Sequence, residues 1–305
     1  MQHQHRWPVI AGIGDDAAAW QPAPGHLALE TTDLLIEEVH FSLRYASWYE
    51  VGWKAMAVNV SDIAAMGGQP AAAFVSLGLR ATMADTDVGC LFEGLHDCAS
   101  EFGALILGGD TVRSPVSTVV NVALFGQSLD ASQAILRRNC ARPGDAIGIS
   151  GPLGASAGYL RLRELARPTS ETLRMAHVRP QPRVATGQAL LRAGARCAID
   201  VSDGLVADLG KICEPSGVGA TIWSDKLPLS SEIVACLADE ALTLALRGGE
   251  DYELLACASS TVLEQAGLTV IGQIQSAPGM RIVDGTGNEV PLDSGGYDAF
   301  GPRPS

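Results

Sequence analysis

Apolar and polar positions along the first half of the chain run in short blocks whose period switches between that of a strand and that of a helix. "LALETTDLLI" reads as a strand with Thr31, Thr32 and Asp33 near its middle. "YEVGWKAMAVNVSDIAAMGG" reads as a helix: Met56, Val60, Ile63 and Met66 or Gly67 fall on its apolar side, and glycine stops it. Asn59 and Asp62 stand three apart and so share a face of that helix. "FVSLGL" is a short strand. In the next helix Val88, Leu91, Leu95, Cys98 and Phe102 repeat at 3,4,3,4 spacing, with Asp85 or Thr86 as the N-cap and Gly103 past the end. "ALILGGDTVRS" and "STVVNVALFG" read as strands bracketing a Gly-Gly-Asp turn.

Near "RRNCARPGDAIGISG" the composition shifts to Arg, Pro and Gly, which places a domain boundary close to residue 140 and predicts domains 1–140 and 141–305. Beyond it, "DAIGISG" is a strand and a helix runs from about Ala155 to Leu165. "HVRPQPRVATGQALLRAG" leads into another helix, and "CAIDVSDGLVADLGKIC" is a strand, a polar turn and a helix. "ALRGGEDYELLACAS" repeats the turn-then-strand arrangement, and "MRIVDGTGNEV" reads as a late hairpin. No fixed-period repeat or low-complexity tract interrupts the series.

A chain of 305 residues is long for one core, which agrees with two domains. Aromatics are 5% of a 47% hydrophobic total, so the cores rest on Ala, Val, Leu and Ile, as in α/β proteins. The net charge of -13 argues against a nucleic-acid backbone or an anionic membrane as partner, but not against phosphate substrates carried with divalent cations. Seven scattered cysteines without C-x-x-C spacing read as reduced thiols packed in a cytoplasmic core. No stretch approaches a membrane span, and "MQHQHRWPVI" resembles neither a signal nor a transit segment, so a cytoplasmic protein is expected.

The candidate chemistry lies in a recurrence. Six times an acid sits beside Gly, Ser or Thr at the edge of an apolar block: "GIGDDA", "ETTD", "NVSDIAAMGG", "GGDT", "IDVSDG" and "GGEDYE". Lys and Arg are nearly excluded from these places. Carboxylates so crowded raise one another's pKa unless cations compensate, and Mg²⁺ is held by a few carboxylates together with substrate phosphates. The pattern therefore predicts several Mg²⁺ ions bridging a polyphosphate, with Thr31, Thr32, Ser61 and Ser202 supplying further oxygens. A G-x-x-x-x-G-K-[ST] loop is missing, and Gly12-Ile13-Gly14 lacks the third glycine of a dinucleotide fingerprint. Arg113, Arg138 and Arg142 are the basic candidates.

The ordered series "GIGDDA", "TTD...VHF", "VNVSDIAAMG", "GGDT.R", "R...ARPGD.I.ISG.LG.SA.G", "RP.PR", "IDVSDGL..DL", "LPLS", "GGEDYEL" and "GYD.F" resembles the thiamine-monophosphate kinase family over about residues 11–300. The resemblance implies an α/β (α+β) fold of aminoimidazole ribonucleotide synthetase-like architecture. Its N-terminal domain binds ATP and Mg²⁺ and pairs with a second copy into a β-barrel; its C-terminal α/β domain completes the active-site cleft. The implied Mg²⁺ ligands are Asp16, Thr31, Thr32, Asp33, Asp62, Asp110, Asp200 and Asp203, with Asp33, Asp62 and Asp203 central to catalysis. Gly109, Asp110, Arg138 and Ser202 would contact ATP; His40, Glu250 and Tyr297 would form the thiamine-phosphate pocket. Asp15 would cap or orient the turn that carries Asp16.

The activity implied is direct in-line transfer from ATP to the phosphate of thiamine monophosphate, with an aromatic face such as Tyr297 or Phe300 against the thiazolium cation. Three departures accompany the likeness. The E-F-x-L-I type run usual in the family is lacking in the residues ahead of "GIGDD", Glu38 stands where glycine is common, and Ala299 stands where histidine is common. Two alternatives remain at this stage: a related ATP-dependent synthetase with another acceptor, and a thiamine-phosphate-binding protein without turnover.

Overall fold

The computed structural model describes residues 9–11, 19–132 and 134–291. Its residues fall into two units, Met1–Ile135 and Leu136–Ser305.

The first unit opens with β1 (Val9–Ala11) paired antiparallel to β2 (Ala19–Trp20). Its main sheet is made of β3 (Ala28–Ile36), β4 (Gln69–Arg80), β5 (Leu105–Ser114) and β6 (Val119–Gln127), in the order β3-β6-β4-β5. β6 is antiparallel to both its neighbours, and β4 and β5 are parallel. Helix α1 (Trp48–Ala65) connects β3 to β4, and α2 (Asp85–Glu101) connects β4 to β5. One sheet face packs on the helices: Val120, Val122 and Leu124 of β6 and Val75 and Leu77 of β4 are buried there. The other face carries Thr32, Leu34, Phe74, Asn121, Phe125 and Val112, with Leu34 and Val112 exposed.

α1 starts at a reciprocal cap: the Glu50 amide donates to Ser47 Oγ at 3.3 Å and the Ser47 amide donates to Glu50 Oε2 at 2.8 Å. It is buried on nearly every side, with Met56, Val60 and Ile63 in the core. α2 keeps the expected buried stripe of Leu91, Leu95 and Cys98, but Ala84 is its N-cap and Asp85 lies inside the first turn. The Gly-Gly-Asp segment is not a turn. β5 runs through it: Gly108 and Gly109 pair with Phe74 and Val75, after a bulge at Leu107.

The second unit is a six-stranded sheet between helices. Its strands are β7 (Ala146–Ile149), β8 (Cys197–Asp200), β9 (Gly219–Trp223), β10 (Leu254–Ala258), β11 (Thr269–Gln275) and β12 (Gly279–Val283), in the order β12-β9-β11-β7-β10-β8. The helices are α3 (Ala155–Glu164), α4 (Glu171–Val178), α5 (Val184–Arg192), α6 (Leu205–Ser216), α7 (Ser231–Cys236), α8 (Ala238–Arg247) and α9 (Ser260–Gln265). Ile147 and Ile149 join Leu205, Leu209 and Ile212 of α6 in the core, while Gly148 between them faces Leu263 of α9. The expected hairpin at "MRIVDGTGNEV" is a turn tied by Asp284, whose return makes a single bridge, Val283 to Glu289. All seven cysteines are free; Cys90 and Cys236 are exposed, contrary to the expectation of core thiols throughout.

α1 and α2 cross with their backbones in contact. A Cβ on Gly52 would lie 2.0 Å from the Leu91 carbonyl oxygen, and one on Gly94 would lie 1.9 Å from that of Tyr49. Gly52→Ala or Gly94→Ala is therefore expected to lower the unfolding free energy by about 2–3 kcal/mol, read as a reduced midpoint in urea, whereas Gly89→Ala, whose Cβ would meet open space, leaves the midpoint unchanged or slightly raised.

Candidate active site

Strand β3 and helix α1 bring Thr31, Asp33 and Asp62 together on the helix-facing side of the first sheet. Alternation puts Thr31 and Asp33 on one face of β3, and Thr31 Oγ1 donates a short hydrogen bond to Asp62 Oδ2. Burial, and then the charge of Asp62, push the Asp33 carboxyl up to about 6. Asn59, on the same face of α1 as Asp62, is fully buried and donates from Nδ2 to the Ala55 carbonyl at 2.9 Å, a bond within its own helix.

Thr32 points to the opposite face, where its Oγ1 accepts from Asn121 Nδ2 at 2.9 Å. Asp110 lies exposed on β5, at the other edge of the sheet, with Oδ1 accepting from the Thr111 amide at 2.8 Å. Three strand spacings separate β3 from β5, about 14 Å, so within one protomer Asp110 and Gly109 do not join Asp33 at a single ion. His40 is anchored after β3: its Nδ1 accepts from the Ile36 amide at 3.1 Å, which puts the proton of a neutral ring on Nε2. Glu38 adopts φ +62, a left-handed conformation that suits glycine, and is held there by Ser42 Oγ at 2.8 Å and Arg44 at 2.6 Å. Asp15, Asp16, Tyr297, Ala299 and Phe300 lie outside the described residues.

In the second unit the "VSDG" and "GGEDYE" turns join backbone to backbone. The Glu250 amide donates to the Ser202 carbonyl at 2.8 Å and the Tyr252 amide to the Val201 carbonyl at 2.9 Å. A Cβ at Gly249 would lie 2.2 Å from the Ser202 carbonyl oxygen, so this approach requires glycine. Asp200 is buried at the end of β8. Fully buried Asp208 ties the turn from inside, accepting from the Ser202 and Asp203 amides at 2.9 Å each. Lys211, one turn further along α6, reaches Asp203 at 2.5 Å and Asp208 at 2.7 Å. Burial pushes the Asp208 carboxyl up while Lys211 pulls it back; burial also opposes the Lys211 charge, but its two acid partners win and its pKa is raised. Arg138 has an exposed side chain, and its carbonyl accepts from Ser216 Oγ at 3.3 Å, at the far end of α6. The twelve residues of α6 put about 18 Å between that point and Ser202. Arg142 and Arg113 are exposed.

Sequence spacing assigns no role to Lys211, Asp208, His177 or Arg183, although Asp208 and Arg183 belong to the "IDVSDGL..DL" and "RP.PR" segments. Arg183, from the "RPQPR" segment, chelates the buried carboxylate of Glu253, with Nε 2.8 Å from Oε2. The pair helps line a cavity of about 310 Å³ together with Arg179, Gln181 and Asp251.

Among the described residues no three His, Cys, Asp or Glu side chains converge on an ion position. The set at β3 and α1 nevertheless fits a hard divalent cation. It offers two carboxylates and a hydroxyl, all oxygen, and the raised Asp33 marks negative charge that a cation would relieve. In the second unit Lys211 already compensates Asp203.

Two family models match the chain: AIR synthase related protein, N-terminal domain, over residues 14–128, and AIR synthase related protein, C-terminal domain, over residues 142–285. With its four-stranded and six-stranded sheets and its acid-lined turns, the molecule is an AIR synthase related protein of two α/β units. A thiamine-monophosphate kinase of Bacillus subtilis (strain 168) is 35% identical over 313 residues, covering 97% of this chain and 95% of the relative. The crystal structure of thiamine-monophosphate kinase from Stenotrophomonas maltophilia K279a superposes with a TM-score of 0.82 at 37% identity, over 92% of each chain. AaThiL complexed with AMPPCP and TMP gives 0.82 at 32% identity, over 92% of this chain and 89% of that one. The chain belongs to the thiamine-monophosphate kinase family.

The Asp33 shift has a measurable consequence. Its folded-state pKa is about 6 against an ordinary value of 3.8, so its contribution to stability is full below the unfolded value and is lost as pH rises through about 6. In chelator-treated protein, Asp33→Asn should be more stable than the parent at pH 7 and equal to it below about pH 4, by chemical denaturation across pH. Added Mg²⁺ should stabilise the parent more than the variant at pH 7.

Proposed function

We propose that the chain phosphorylates thiamine monophosphate to thiamine diphosphate at the expense of ATP. The observation that carries this reading is the Thr31, Asp33 and Asp62 group: two half-buried acids whose mutual repulsion, read in the raised Asp33 carboxyl, a cation would relieve. Its support outside the site is the family and AaThiL, solved with AMPPCP and TMP.

The acceptor phosphate is already ionised, so one of its oxygens attacks the γ-phosphorus of ATP without a general base. The new P–O bond forms as the bond from γ-phosphorus to the β,γ-bridging oxygen breaks, and ADP leaves with that oxygen's electron pair. The difficulty is bringing two polyanions together rather than activating a nucleophile. Bound Mg²⁺ supplies the neutralisation. Asp33 and Asp62 hold it with Thr31, and Asp16, Thr32, Asp110, Asp200 and Asp203 are assigned as further ligands. Lys211 fixes the Asp203 carboxylate. Ser202, Gly109 and Asp110 meet the nucleotide phosphates, and Arg138, at the other end of α6 from Ser202, meets ATP away from them. His40, Glu250 and Tyr297 form the pocket for thiamine monophosphate.

The functional molecule in this reading is a homodimer. The open face of the first sheet, with Leu34 and Val112 exposed beside Phe74 and Phe125 and with Thr32 and Asp110 between them, is a mixed surface suited to a second copy. A partner also answers the separation of Asp110 from Asp33. No described helix is long and apolar enough to cross a membrane, and the free thiols suit the cytoplasm.

³¹P NMR of the protein with ATP, Mg²⁺ and thiamine monophosphate should show thiamine diphosphate and ADP, and thiamine in place of its monophosphate should give neither. ATP consumption with thiamine, or none with the monophosphate, would overturn the reading. Asp62→Asn should lower kcat by about a hundredfold or more with its unfolding midpoint retained; near-parental kcat would show that Asp62 does not hold the metal.

A further inference from the structure

A histidine that no part of the proposed reaction uses is buried against the loop that carries Glu250. His177, in the last turn of α4, is 2% exposed. Its Nδ1 stands 2.9 Å from Ser156 Oγ and 3.3 Å from Glu250 Oε2. The ring stacks on Tyr159 of α3, centroids 5.6 Å apart and planes 28° from parallel. Ser156 and Tyr159 are themselves buried. The ring is thus fixed by two helices before it meets the acid. Glu250 meets the ring from the neighbouring segment. It lies on a turn, 29% of its side chain is open to solvent, and its φ of +64 is a conformation that a non-glycine residue adopts only when its surroundings impose it.

An ionised carboxylate can only accept hydrogen bonds. For the Nδ1 contact to be attractive, Nδ1 must carry the proton, shared between Glu250 Oε2 and Ser156 Oγ. We propose that His177 is a positioning residue: as the Nδ1-protonated ring it anchors one edge of the Glu250 carboxylate, holding the acid ready for the cationic ring system of the acceptor. A glutamate whose carboxylate is held in place loses less rotamer freedom at each encounter. Anchored, it presents fixed negative charge, which selects an acceptor that carries both a phosphate and a positive ring over a simple phosphate ester. The proposal rests on the reading of Glu250 as an acceptor-binding residue given above.

The test compares the full-length parent with His177→Leu, His177→Asn and His177→Gln. Asn places an amide N–H near the position of Nδ1; Gln places it near Nε2. His177→Leu should raise the KM for thiamine monophosphate about tenfold or more, with kcat within about threefold and the KM for ATP unchanged. Asn should restore most of the loss and Gln should not. Equal KM values in all four proteins, or parallel losses in kcat and in the KM for ATP, would overturn the proposal. If His177→Leu fails to fold, the Asn and Gln pair decides, the proposal requiring Asn to be the better. A parent that does not phosphorylate thiamine monophosphate would defeat the proposed function instead. In that case the ¹⁵N spectrum of the histidine rings decides the anchoring: an Nδ1-protonated His177, assigned by its loss in His177→Asn, supports it, and an Nε2-protonated neutral ring refutes it.

Discussion

Negative charge gathered between a strand and a helix is the constraint around which the first unit is arranged. Asp33 and Asp62 come from elements that must pack for other reasons, β3 by its pairing with β6 and α1 by burial on nearly every side. The contact therefore cannot open to relieve repulsion without giving up core. Asp33, half-buried and beside a second carboxylate, responds with a pKa of about 6. Its environment favours the proton at low pH and a cation when one is present, and the cation-bound form suits a substrate whose own charge is the barrier to reaction.

The second unit handles the same kind of residue differently. There Asp208 is buried as deeply as any side chain, yet it has two amides and the Lys211 ammonium as partners. It serves the turn, setting Ser202 and Asp203 at the start of α6. The Glu250 turn is then zipped onto Ser202 by backbone bonds. Two acidic segments far apart in sequence become one structural piece, backed by Lys211 at one point and His177 at another.

Much of this was legible in the residue pattern. The buried stripe of α2, the β3 strand with its Thr-Thr-Asp and the strand–turn–helix at "IDVSDGL" all declare themselves through period and capping. β9 does not, because a strand covered on both faces shows no alternation of apolar and polar residues; β11 keeps Thr269 and Gln273 exposed, but its seven residues carry a glycine at their centre. Gly108 and Gly109 were misleading: glycine usually marks a turn, but here the pair lets a strand continue past a bulge. Among the site residues, the shared position of Asp33 and Asp62 follows from motif order only once the sheet is known. The placement of Thr32 on the opposite face follows directly from alternation. Lys211 and His177 are silent in sequence, since nothing in spacing tells which distant acid a lysine or a buried ring will meet. The family likeness named the acids; the geometry shows which of them are already paired within one chain.

The most direct test of the account is the proton released when Mg²⁺ alone binds at pH 6, measured calorimetrically in buffers of different ionisation enthalpy. With Asp33 at about 6, binding should release about half a proton per chain at pH 6, almost none at pH 8, and none from this site in Asp33→Asn. Heats that do not depend on the buffer at pH 6, or an equal release from the variant, would contradict the claim that Asp33 and Asp62 hold charge in reserve for the metal.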